Sequence, residues 1–138
     1  MRTLRLVGLA LGLLTSIAVG SASAQDAQTR RDRQGPVTVT VTLVTPPLAG
    51  SPVAVRVVLD THALALDGVA FERAVALRNP DGREVAPIAV KETSSGGHHR
   101  QAEVVFPSIE GVTQVRIVVK DIGGIPERVF AWDVPATR

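Results

Sequence analysis

Residues Val37-Thr-Val-Thr-Val-Thr-Leu43 alternate apolar and polar side chains without a break. Neighbouring side chains on a strand point to opposite faces, so this run buries one face and leaves the other to solvent. A helix needs an apolar stripe repeating every 3.6 residues, and no long stretch of the chain supplies one. The alternation recurs. Pro52–Asp60 aligns Val53, Val55, Val57 and Leu59, and Val69–Arg78 carries Phe71, Val75 and Leu77. Arg83–Lys91 contains Pro87, which lacks the N–H a ladder needs and therefore marks an edge. His98–Phe106 aligns Ala102, Val104 and Phe106, Val112–Asp121 aligns Val115, Ile117 and Val119, and Glu127–Val134 aligns Phe130 and Trp132. Turn residues separate these runs, among them Asn79-Pro-Asp-Gly82, in which proline presets φ and glycine accepts a positive one.

Seven short strands at close intervals predict an all-β fold, a seven-stranded immunoglobulin-like or fibronectin-III-like sandwich. A cupredoxin-like Greek-key barrel is the alternative. Twenty valines follow residue 24, and β-branched side chains suit a pleated surface. A helical turn is expected only over Ala63–Leu66.

Ahead of the strands the chain is different in kind. A basic head with Arg2 and Arg5, an uncharged apolar stretch from Leu6 to Val19 and the small-x-small run Ala22-Ser-Ala24 read as a secretory signal peptide over residues 1–24. The apolar stretch is shorter than the roughly 20 residues that span a bilayer. The expected product is periplasmic or secreted and not inserted in a membrane. Residues 25–36 are polar and aperiodic, which predicts a disordered linker, and 37–138 form the domain. With no cysteine, that domain must be held by its core alone. Beyond residue 24 there are 13 Lys and Arg against 13 Asp and Glu. That balance argues against a nucleic-acid partner.

If successive strands run antiparallel, their connections alternate between two ends. Thr45–Ser51, Asn79–Gly82 and Pro107–Gly111 fall at one end and read as ordinary turns. Asp60–Gly68, Glu92–Gly97 and Asp121–Glu127 fall at the other, with all three histidines: His62, His98 and His99. Imidazole and carboxylate together suit copper or zinc, so His62, His98, His99 and Asp60 form a candidate metal site. Parity favours His98, which shares the inward face with Ala102 and Val104. The absence of Cys excludes a blue-copper centre. The competing reading is a structural or protein-interaction module in which the histidines clasp loops by hydrogen bonds. Arg100 reads as an exposed partner for Glu103 or Asp121. Ser95 with His98 is a weak basis for a hydrolase, because no nucleophile elbow or oxyanion motif accompanies them, so no enzymatic activity is expected.

The set Leu59-Asp-Thr-His62, Leu66-Asp67, Gly96-Gly-His-His-Arg100, Phe106-Pro107, Val119-Lys-Asp121 and Pro126-Glu-Arg-Val-Phe-Ala-Trp132 resembles a group of small exported or lipid-anchored bacterial and archaeal proteins. The likeness spans nearly all of the domain. It implies a single β domain, and the group has no established biochemical activity to carry over. This chain differs from the lipid-anchored members in lacking an anchoring Cys.

Overall fold

A computed structural model describes residues 27–136. The expected signal peptide lies outside the described residues, among which no helix is long and apolar enough to cross a membrane. The described chain is all-β, with two antiparallel sheets stacked as a sandwich. One sheet holds β1 (Thr29–Asp32), β2 (Val37–Leu43), β3 (Val53–Thr61), β7 (His99–Phe106) and β6 (Ala89–Gly96), in the order β1-β2-β3-β7-β6. The other holds β5 (Glu84–Val85), β4 (Val75–Arg78), β8 (Gln114–Ile122) and β9 (Ile125–Asp133), in the order β5-β4-β8-β9. A single turn of helix, α1 (Phe71–Ala74), precedes β4.

The alternation seen in the sequence sets the register. Val37, Val39 and Val41 pair with Thr61, Leu59 and Val57, and all six point inward. From β7 come Ala102, Val104 and Phe106, and from the facing sheet Leu77, Val115, Ile117, Val119, Phe130 and Trp132. Each fully buried valine or isoleucine contributes about 1.5–3 kcal/mol over leaving it in water, so the buried valines supply a large share of the cohesion beside the larger Leu, Ile, Phe and Trp side chains.

Four expectations change. The stretch read as one strand over 83–91 is two strands in different sheets. Β5 pairs with β4, the chain crosses the sandwich around Pro87, and β6 then pairs with β7. A proline lacking an N–H fits at the crossing because no ladder bond is needed there. The strand expected over 69–78 begins only at Val75, because Phe71–Ala74 coils into α1, and the helical turn expected over Ala63–Leu66 does not form. Residues 29–32, within the expected linker, form β1. The Thr29 and Thr42 hydroxyls meet at 3.0 Å, Trp132 Nε1 donates to the Gln28 carbonyl at 3.0 Å, and the Arg30 guanidinium lies 5.5 Å from the Trp132 ring centroid. Β1 is held by polar contacts and one aromatic face, which leave no apolar period to read.

The outer face of the second sheet carries an ion-pair network. Arg78 on β4 reaches Glu84 on β5 at 2.9 Å and Glu127 on β9 at 2.6 Å, and Lys120 on β8 reaches Glu84 at 2.5 Å. The Arg78–Glu127 pair spans β8. Val118, on the same face between them by register, is fully buried although it faces away from the core. Lys120 and Arg78 hold the Glu84 carboxyl below its ordinary value, and Arg78 does the same to Glu127. These carboxylates therefore add stability above their ordinary value of 4.5, and that contribution is lost as pH falls through their lower folded values. In urea unfolding the wild type should lose more stability between pH 6 and pH 3 than a Glu84→Gln/Glu127→Gln variant. Equal losses would show that the network is screened out.

Candidate functional site

The connections do segregate as alternation requires. The Thr61 amide donates to the His98 carbonyl at 3.0 Å, and the Leu66 amide to the Gly97 carbonyl at 2.8 Å. Residues 68–70, 73, 74 and 120–122 line a shared hollow of about 230 Å³. The β3–α1 connection, the β6–β7 turn and the β8–β9 turn thus meet at one pole, together with the β1–β2 turn.

The β6–β7 hairpin decides where its histidines point. Gly96 pairs with His99, leaving Gly97 and His98 as a two-residue turn. His98 is therefore at a tip and exposed, and its Nδ1 bonds the Leu64 carbonyl at 3.0 Å. His99 is the first residue of β7 and faces outward beside Asp60, its registered partner, with Nδ1 2.5 Å from Oδ1. Both side chains of that pair are about half exposed. His62 is exposed in the bend after β3. Of the four candidate ligands, only Asp60 and His99 are brought together. Among the described residues no three His, Cys, Asp or Glu side chains converge in a way that could hold a metal.

The inward position goes to Arg100. It is 7% exposed and is fixed from four directions. Nη1 donates to the Leu66 carbonyl at 2.7 Å and to the Val69 carbonyl at 2.6 Å, Nε donates to Glu92 at 2.7 Å, and the guanidinium lies 5.1 Å from the Phe71 ring centroid. Its acidic partner is Glu92, not Glu103 or Asp121. The β3–α1 connection, which has no ladder of its own, is organised around this side chain. Thr61 adds a second tie: its hydroxyl donates to the Pro36 carbonyl at 2.9 Å and accepts from the Ala63 and Leu64 amides.

Arg128 does the equivalent work under the neighbouring turns. It is 1% exposed. Nη1 donates to the Ile122 carbonyl at 2.9 Å, and Nη2 to the carbonyls of Gln34 and Val37 at 2.7 and 3.2 Å. Its Nε lies 3.4 Å from Asp32 Oδ1 but is not aligned for a hydrogen bond. Above it, Gly123 and Gly124 both have positive φ, as a tight two-residue hairpin turn requires. A Cβ on Gly123 would lie 2.8 Å from Val37 Cγ2, so the approach of the two sheets here also needs glycine.

Alternation could have found both arginines. Arg100 has the parity of Ala102, Val104 and Phe106, and Arg128 that of Phe130 and Trp132. No family model, curated protein or solved structure matches this chain.

Removing Arg100 should strand two carbonyls and a carboxylate at once. Arg100→Met is expected to cost about 3 kcal/mol, less than a fully buried pair because Glu92 is a third exposed. Hydrogen exchange should accelerate over residues 62–70 before anywhere else. Arg100→Lys should restore little, since an ammonium cannot serve three acceptors in that planar spread. Unchanged exchange in both variants would refute the anchoring role.

Proposed function

We propose that this chain is an exported, non-enzymatic binding module of immunoglobulin-like form, with its histidine pole serving as a structural clasp. The form is supported by strand order. With β1 set aside, β2-β3-β7-β6 facing β5-β4-β8-β9 corresponds to the A-B-E-D and C′-C-F-G sheets of such domains, and all seven strand pairings among the described residues are antiparallel. That order favours the immunoglobulin-like reading over a cupredoxin-like barrel. Export rests on residues 1–24.

One observation carries the clasp reading: the two neighbouring histidines have separate partners. His98 Nδ1 is committed to the Leu64 carbonyl and His99 Nδ1 to Asp60. A hydrogen bond of the first kind stitches the β6–β7 turn to the β3–α1 connection, and the second joins β7 to β3 at its exposed end. A copper or zinc site built from His62, His98, His99 and Asp60 would need these contacts broken and the rings turned to a common point. A hydrolytic role for Ser95 and His98 has no support in their placement, since Ser95 pairs with Arg100 along the ladder while His98 sits on the turn.

Calorimetric titration of the purified protein with Cu(II) and with Zn(II) tests this. No saturable one-to-one uptake is expected at micromolar metal, and His98→Ala should lower stability by about 1 kcal/mol, the worth of one backbone-directed hydrogen bond. Tight stoichiometric binding, abolished in both His62→Ala and His99→Ala, would overturn the clasp and establish the metal site.

A further inference from the structure

The pole opposite the histidines carries the larger hollow. A cleft of about 430 Å³ opens there between the β4–β5 hairpin and the β7–β8 connection. Its floor is Leu77 and Ile109, which are 3% and 8% exposed, and half-buried Val85 and Val112 form its walls. Asp81 and Glu110 stand at the rim. No Lys, Arg or His is among the lining residues.

We propose that this cleft binds a small amphipathic cation, its apolar body on Leu77 and Ile109 and its ammonium between Asp81 and Glu110. This rests on the reading of the chain as a binding module and is independent of the histidine clasp. Three observations support it. The volume falls within the roughly 300–1,000 Å³ of small-molecule sites, and the cleft sets apolar Leu77, Val85, Ile109 and Val112 beside polar Asn79, Asp81, Ser108 and Glu110, as an amphipathic ligand needs. The walls are preformed: the Gly50 amide holds the Ile109 carbonyl at 2.8 Å, the Val134 amide holds the Thr113 carbonyl at 2.9 Å, and the Asn79–Arg83 turn closes on itself at 2.8 Å. A site ordered before binding loses less freedom on binding. Finally, the rim charge is of one sign. Arg83, outside the lining, contacts Asp81 Oδ2 at 3.4 Å and its amide donates to Oδ1 at 3.3 Å, but the two side chains are 84% and 56% exposed, so a ligand cation competes with a weak, solvated pair. Glu110 has no ion-pair partner among the described residues.

The test uses three probes of one length and different heads: hexylammonium, hexanol and hexanoate. Each is titrated into the purified protein and followed by amide chemical shifts. Hexylammonium should give saturable shifts confined to residues 79–82 and 108–112, with half-saturation about threefold below that of hexanol, as expected for ion pairing at a solvent-open rim. Hexanoate should bind most weakly. Asp81→Asn/Glu110→Gln, changes at exposed positions, should remove the preference for the ammonium. The proposal fails if no probe saturates, if shifts centre on the histidine pole, or if the ranking persists in the double variant. Any of these would leave the clasp and its metal titration untouched, so the two readings fail separately.

Discussion

A buried guanidinium that spends its donors on backbone carbonyls is the interaction on which one end of this sandwich depends. Strands satisfy their own backbone groups, but the connections between them do not, and where a connection tucks under the end of a sandwich its carbonyls are removed from water. An unpaired buried carbonyl costs about 1–3 kcal/mol. Arg100 answers two such groups in the β3–α1 connection and Arg128 answers three at the β1–β2 and β8–β9 turns. Arginine suits this task better than lysine because its donors spread in a plane and its charge is diffuse enough to lie against Phe71. Each arginine also has a carboxylate within reach, Glu92 and Asp32, so neither positive charge is buried alone.

The two ends of the sandwich are therefore different objects. At the histidine pole, the space between the sheets is occupied by guanidinium groups, and the loops above are tied to them by hydrogen bonds with definite directions. At the other pole, a cleft opens whose floor is Leu77 and Ile109 and whose lining, among the described residues, includes no Lys, Arg or His. Apolar contact is non-directional, so that floor tolerates a range of occupants, whereas the arginine pole accepts only the loop conformations that present their carbonyls correctly. Loops tied by directional hydrogen bonds at one end and a larger hollow with an apolar floor at the other reflect this difference in side-chain chemistry along otherwise similar strands.

How much of this was legible in the sequence follows from what period-two alternation encodes. It reports which residues share a face, so the inward sets of β2, β3, β7, β8 and β9 were readable, as was the gathering of all three histidines at one pole. It does not report which sheet a strand joins. The run 83–91 alternates as if continuous, yet Pro87 marks where the chain leaves one sheet for the other. It is silent on strands held by polar contacts, so β1 was invisible. It also misleads at a hairpin tip. His98 has inward parity by count, but parity acts only within paired residues, and β7 begins one residue too late for His98 to use it.

That last point governs how the doublet in Gly96-Gly-His-His-Arg100 is to be weighed. A two-residue turn at Gly97-His98 forces His99 to be the first paired residue, hence outward, and Arg100 to be the first inward one. Neither histidine can then enter the sandwich without shifting the β6–β7 register. A shift of one residue would turn Ala102, Val104 and Phe106 to solvent, and their burial on the core side opposes it. The doublet is held at the surface by the core beneath it, and the conspicuous residues are on the outside because the inconspicuous arginine beside them is not.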